Sequence, residues 1–261
     1  MVLALSAAWL LAGPAAALPP YQRMFQAKYK YKANCTACHD RDSWELTGYG
    51  KGFFKQGRGL AAFAAIEAAD PDGDGASSGQ EIAARSNPGD PRSTPQRLGD
   101  WLKNLLPPQA PRKHLAALFP GHDRAALEEL ELGADRRKRI ESGLSRPLRD
   151  EELYPVFFRV FRGDELLGAA LYASAAAPHA CSFIVGYAQP KGRPARVTGL
   201  RVLDCEPKAL KSGAFLDRLR GAGELELGRL APPAGEAAAA GRAVIDAVLA
   251  GARIVEDSSI R

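Results

Sequence analysis

Residues 35–39 read Cys-Thr-Ala-Cys-His, and this run constrains the chain more than any other. Two sulfurs three positions apart, with an imidazole on the next residue, fall on one side of a single helical turn. Three chemistries use such a turn. A redox dithiol places it between a strand and a helix of a βαβ unit. A zinc site needs a second close pair of ligands. A c-type haem needs both sulfurs for thioether bonds and the histidine for its iron. The preceding stretch, YQRMFQAKYKYKAN, is basic, aromatic and helix-prone, and no second close Cys or His pair follows. Cys35 and Cys38 are therefore expected to hold haem covalently, with His39 as an axial ligand. The candidates for the opposite axial position are Met24, His114, His122 and His179. Met24 lies 11 residues before Cys35 and would raise the reduction potential relative to a second histidine. Its competing role is packing, and an open or water-ligated iron is the further alternative.

A second motif follows closely. DPDGDGASSGQE, residues 70–81, fits the twelve-residue calcium loop of an EF-hand. Asp70, Asp72 and Asp74 take positions 1, 3 and 5, Gly75 takes the sharp turn, and Ala76 offers its carbonyl at position 7. Ser78 takes position 9, and Glu81 supplies the bidentate carboxylate at position 12. Four carboxylates in one loop repel one another without a cation; the alternative is a solvated acidic turn. The flanking GLAAFAAIEAA and GQEIAARS read as helices. Asn87 or Asp90 in the following NPGDPRSTP is a further candidate to ligate or brace the loop. A single loop with no partner hand reads as a structural staple, not a sensor.

Residues 2–17, VLALSAAWLLAGPAAA, are apolar, uncharged and end in small residues. They read as an export signal cleaved near Ala17, although no Lys or Arg precedes the apolar run; an uncleaved anchor is the alternative. No other stretch is long and apolar enough to span a membrane. The mature protein is expected in the periplasm or outside the cell. That compartment suits haem attachment and favours disulfides over free thiols. The net charge of +5 is modest, and no Lys/Arg run interleaved with aromatics suggests nucleic acid.

The segment CTACHDRDSWELTGYGKGFFKQG, running on into the acidic loop, resembles small single-haem domains of secreted bacterial cytochromes. Those domains carry an L-N-x-Y-G-x-x-F segment after the haem motif and commonly continue into a calcium loop. From about residue 114 the chain resembles the FMN-binding domain of sodium-pumping NADH:quinone reductase and Rnf complex subunits. The likeness rests on LFPG, GDELLGAALYA, FIVGYAQPKGRPARVTGLRVLDCEP, FLDRLRG and the closing GRAVIDAVLAGARIV. In that family a Gly-Ala-Thr-x-[Thr/Ser] segment esterifies the FMN phosphate through a Thr hydroxyl. Here the matching APPAGEAAAAGRAV, residues 231–244, has no hydroxyl, and Glu236 would repel a phosphate. FMN is not expected to be bound, and the resemblance implies a flavin fold that has lost its cofactor. Within that frame Cys181 and Cys205, 12 residues either side of Arg193, are expected to form a disulfide across a hairpin; the alternative is two separate buried thiols. Glu206 would lie by the former cofactor pocket or simply in an exposed turn.

The expected fold class is α+β. Residues 1–17 form the signal peptide. Residues 18–106 form a small, mostly helical haem domain, with RLGDWLKNLL as its last helix and Trp101 and Leu105 packing inward. Residues 107–113 form a linker, and residues 114–261 an FMN-binding-like α+β domain with an antiparallel sheet. Its opening, HLAALFPGHDRAALEELELGADRRKRIESGL, reads as helix-prone. The expected function is that of a periplasmic monohaem electron carrier rather than a stand-alone enzyme. Its partner would be a periplasmic or membrane-bound redox protein with an acidic docking surface, since residues 20–58 hold eight Lys or Arg against three Asp or Glu. The alternatives are a flavocytochrome with noncovalent FMN feeding the haem, and a haem protein that docks or senses.

Overall fold

The computed structural model describes residues 18–103, 105, 107–175, 181–189, 193–205, 210 and 213–258. The export signal, His179 and Glu206 lie outside the described residues. Pro19 and Pro20 open helix α1 (Pro19–Tyr29), where fixed φ angles suit a first turn whose amides lack helical partners anyway. Lys30 closes it at φ 66°, its amide bonding back to the Gln26 carbonyl. A 3₁₀ turn over Cys35–Ala37 is followed by α2 (Gly48–Lys55), α3 (Leu60–Ala65) and α4 (Ser78–Ala84). Their shared core holds Met24, Phe25, Tyr49, Phe53, Phe63, Ile82 and Trp101.

The helix expected over RLGDWLKNLL does not form across residues 98–103, which run as turns. Gly99 adopts φ 71°, which breaks any helix there. Trp101 still packs inward, because its indole N–H donates to the Arg85 carbonyl at 2.8 Å while its ring is buried. Leu105 is half-buried.

Residues 107–111 form neither helix nor strand, and α5 (Arg112–Leu118) begins inside the expected linker. The C-terminal part is built on an antiparallel sheet whose strands neighbour one another in chain order: β1 (Arg124–Glu129), β2 (Val156–Arg162), β3 (Glu165–Ala175), β4 (Cys181–Ala188) and β5 (Arg196–Cys205). Helices α6 (Ala134–Glu141), α7 (Gly213–Asp217), α8 (Glu224–Arg229) and α9 (Ala238–Ser258) complete the α+β architecture. Strand β1 departs from the helix-prone reading. Arg-Ala-Ala-Leu-Glu-Glu has good helix formers, but it pairs residue for residue with β2 from Arg124↔Phe161 to Glu129↔Val156. The sheet edge supplies hydrogen bonds that local propensity does not anticipate. The β2–β3 and β4–β5 hairpins follow the expected segments.

Strand β4 is apolar on both faces because both are covered. Phe183, Val185 and Tyr187 pack toward α9, while Ile184 joins Leu115 and Leu118 of α5. The two parts also meet each other. The Leu60 amide donates to Asp150 Oδ2 at 2.6 Å, Arg23 and Lys32 lie 3.8 and 3.9 Å from the Glu129 carboxylate, and Tyr154 packs against the N-terminal core.

Candidate functional site

Cys35, Cys38 and His39 line a single cavity of about 120 Å³ that is partly open to solvent. Helix α1 turns Leu18, Tyr21, Gln22 and Phe25 toward it, an i, i+3, i+4, i+7 face. Helices α2 and α3 add Phe53 and Phe63, whose rings stack with centroids 4.3 Å apart. Ser182 and Asp204, directly paired across β4 and β5, line it from the C-terminal part. The cavity is thus mostly apolar, with a few polar groups among its lining residues, as ligand sites commonly are.

The motif turn is tightly specified. Asn34 Oδ1 accepts from the Thr36 amide at 3.3 Å, and the Cys35 carbonyl accepts from the Cys38 and His39 amides at 3.1 and 2.9 Å. The following Asp-Arg-Asp-Ser loop folds on Asp40, whose Oδ1 takes the Asp42 amide at 3.0 Å and the Ser43 amide at 2.8 Å. That returns Trp44, at φ 59°, to His39: its carbonyl lies 2.9 Å from His39 Nδ1. A carbonyl can only accept, so Nδ1 carries the proton of the neutral ring and Nε2 keeps its lone pair. His39 is 6% exposed. Such a held imidazole is how proteins orient a metal-ligating histidine.

Helix α2 sits against this turn because two of its residues lack a side chain. A Cβ on Gly50 would fall 2.2 Å from the Cys38 carbonyl oxygen, and one on Gly48 2.2 Å from that of Pro71 in the acidic loop. Thr47 caps α2 by accepting from the Gly50 amide at 3.1 Å and donates to the Ala37 carbonyl at 2.9 Å. The Thr-Gly-Tyr-Gly segment is therefore a clamp between the cysteine turn and the acidic loop.

Cys35 and Cys38 are not bonded to each other. Burial raises the Cys35 thiol and pushes Cys38 up to about 12. Reactive dithiols show the opposite shift, toward thiolate. Among the described residues, the one group of metal-ligating side chains is Asp70, Asp72 and Asp74, so no second ligand set completes a zinc site on the cysteines.

Met24 does not stand on this cavity. It is fully buried on the core side of α1, while the Tyr21–Gln22–Phe25 face meets the cavity. Its role in the structure is packing. His114 lies in α5, and His122 is placed with Nδ1 3.0 Å from the Phe119 carbonyl; neither lines the cavity. One residue the sequence reading passed over does line it. Arg58, just beyond α2, is 7% exposed with its guanidinium 4.8 Å from the centroid of Phe54.

In the acidic loop, one carboxylate oxygen from each of Asp70, Asp72 and Asp74 lies within 4.8 Å of the others. Asp70 accepts from the Gly73 and Gly75 amides at 2.8 and 2.9 Å, and Asp74 from the Ala76 amide at 2.7 Å. Glu81, on α4, is fully buried. Asp72 Oδ2, Asp74 Oδ2 and Glu81 Oε2 are buried with no hydrogen-bond partner. Burial, then repulsion from Asp72 and Asp74, pushes Glu81 up to about 8; burial raises Asp72 to about 6. Orphaned buried carboxylate oxygens of this kind fit a hard cation. The Ser78 hydroxyl instead donates to the Ala69 carbonyl at 3.1 Å. Ser77 caps α4 with Gln80 in a reciprocal capping box. Asn87 Nδ2 donates to the Thr36 carbonyl at 3.2 Å, and Asp90 pairs with Arg92 at 2.8 Å. Asn87 therefore ties the loop's exit to the cysteine turn.

Cys181 and Cys205 are register partners at one end of β4 and β5, bonded as a disulfide with Cα atoms 4.1 Å apart. Their neighbours Ser182 and Asp204 are the two that reach the cavity. Within the hydroxyl-free segment the Pro233 ring packs against Gly241 in the first turn of α9, 2.2 Å from where a Cβ would stand. No protein-family model matches the chain, and neither any curated protein nor any solved structure matches it.

Proposed function

We propose that the chain is an exported single-haem c-type cytochrome that carries electrons, with a calcium-stapled haem unit and an FMN-binding-like unit that has no flavin. The observation that carries this reading is the convergence of Cys35, Cys38 and the oriented, buried His39 on one apolar cavity. Cys35 and Cys38 are unpaired, and their S–H groups would be free to hold a haem through its two vinyl groups, an attachment that needs no oxidant. When bound, the haem supplies an iron that exchanges one electron. Cys35 and Cys38 would fix the ring and His39 Nε2 would ligate the iron. Trp44 would hold the imidazole, and Phe25, Phe53 and Phe63 would keep water from the ring.

The same reading gives Asp70, Asp72, Asp74 and Glu81 to calcium, with the Ala76 carbonyl as a fifth ligand. The C-terminal sheet, through Ser182 and Asp204, serves as a side wall of the cavity. Of the cations in residues 20–58, Lys30, Lys51 and Lys55 are exposed and form no salt bridge among the described residues, and these suit an acidic redox partner. Potentiometric titration of the purified protein, with a flavin assay on the same sample, tests the proposal. A single one-electron wave at the haem band with no flavin is expected; a silent haem band contradicts electron transfer.

One observation favours a second reading. Among the described residues lining the cavity, His39 is the sole histidine and no methionine appears. An iron with no protein ligand opposite His39 would bind small gases, as a sensor does. Ready carbon monoxide binding by the ferrous protein supports that reading, and its absence supports the carrier.

A further inference from the structure

Arg58 carries a charge in a place where charge is costly. It follows α2, takes φ 61°, lines the same cavity as Cys35, Cys38 and His39, and is 93% removed from solvent. Among the described residues it makes no salt bridge, and its guanidinium lies 4.8 Å from the centroid of the Phe54 ring. Asp150 is the carboxylate that meets the adjoining backbone, and it is committed to the Leu60 amide at 2.6 Å. Asp204, on the opposite wall, is exposed and not paired with Arg58. Holding a guanidinium largely away from water without an anion is costly, and a ring face recovers only part of that cost. A cation kept under those terms on the wall of an apolar slot marks where an anionic part of the slot's occupant sits.

We propose that Arg58 is the anion-binding residue of the cavity, pairing with a carboxylate of the tetrapyrrole attached through Cys35 and Cys38. This rests on the haem reading above and adds a partner for the acid groups. The thioether bonds and His39 would already fix the ring, and with it the edge that carries the acid groups. Arg58 would anchor one of those groups at the α2 end of the cavity, beside Phe54. The fork of the guanidinium suits a carboxylate in a way that a lysine ammonium does not. The residue would act as a positioning and charge-compensating group: with the carboxylate neutralised, the ferric state loses a stabilising negative charge.

The test uses full-length exported protein carrying its haem. Arg58→Met, Arg58→Lys and, as a control for the other charge on the cavity wall, Asp204→Asn are compared with wild type. The readouts are the reduction potential and the propionate-bending bands of the resonance Raman spectrum. Haem attachment is expected at full stoichiometry in all of them, because the thioether bonds do not depend on Arg58. Arg58→Met should lower the potential and shift the propionate band, Arg58→Lys should recover part of both, and Asp204→Asn should leave the propionate band in place. If Arg58→Met fails to mature, Arg58→Lys decides, since loss of the bidentate fork alone shifts the band. A haem-loaded wild type whose potential and propionate band are unmoved by substitution at Arg58 overturns this inference alone. A wild type without covalent haem overturns the functional reading beneath it.

Discussion

Calcium binding to the Asp70–Glu81 loop should expel about one proton at pH 7. In the metal-free protein Glu81 is pushed up to about 8 and Asp72 to about 6. At pH 7 Glu81 is then about nine-tenths protonated and Asp72 about one-tenth, and a cation that takes both as carboxylates releases their sum. The release should grow toward about 1.5 protons at pH 6 and fade to about 0.1 at pH 9. Calorimetric titration in buffers of different ionisation enthalpy measures it directly. The sign carries over to stability. A carboxyl whose folded value lies above its usual 4.5 costs the fold nothing at low pH. The cost begins as pH rises past that ordinary value and is complete above about 8. The metal-free protein should therefore melt lower at pH 8 than at pH 5.5, and calcium should abolish the difference. At a hundredfold excess over Kd, calcium adds about 2.7 kcal/mol. Binding with no proton release at pH 7, or a metal-free melt that does not fall with rising pH, refutes the reasoning.

Three further outcomes follow from the packing. Gly50→Val places a Cβ 2.2 Å from the Cys38 carbonyl oxygen, a backbone atom that cannot swing away; it should cost about 1–3 kcal/mol in denaturant unfolding and lower haem incorporation, with unchanged stability contradicting the clamp. Cys181→Ser with Cys205→Ser opens a disulfide of sequence separation 24; a loss of about 3.5 kcal/mol is expected from chain entropy, and a loss below about 1 would count against the estimate. Met24→Leu should leave the oxidised haem spectrum unchanged, because Met24 packs in the core; a spectral change at the iron would return Met24 to the ligand set.

The parts of the site that were legible in the sequence are those written within a few residues. The cysteine turn, the acidic loop and their flanking helices depend on local spacing and on glycines at close approaches. What escaped depends on partners far away in the chain. Strand β1 reads as helix because its propensity is helical, and only the edge of β2 makes it a strand. Arg58 gives no signal in Gln-Gly-Arg-Gly, since the cavity it lines is assembled from α1, the cysteine turn and the β4–β5 end. At Met24 spacing alone leaves two roles open. Its distance from Cys35 permits ligation, yet the periodicity of α1, with Leu18, Tyr21, Gln22 and Phe25 on one face, already turns Met24 aside.

The central claim is that Cys35 and Cys38 hold a haem. Intact mass spectrometry of protein exported from cells with haem-attachment machinery, denatured in acid and paired with a dithionite-reduced absorption spectrum, tests it most directly. The account predicts a polypeptide heavier by one haem that survives denaturation, with a sharp reduced α band. That added mass should disappear in Cys35→Ala with Cys38→Ala. A wild-type mass equal to the bare polypeptide, with both thiols open to alkylation, would contradict it.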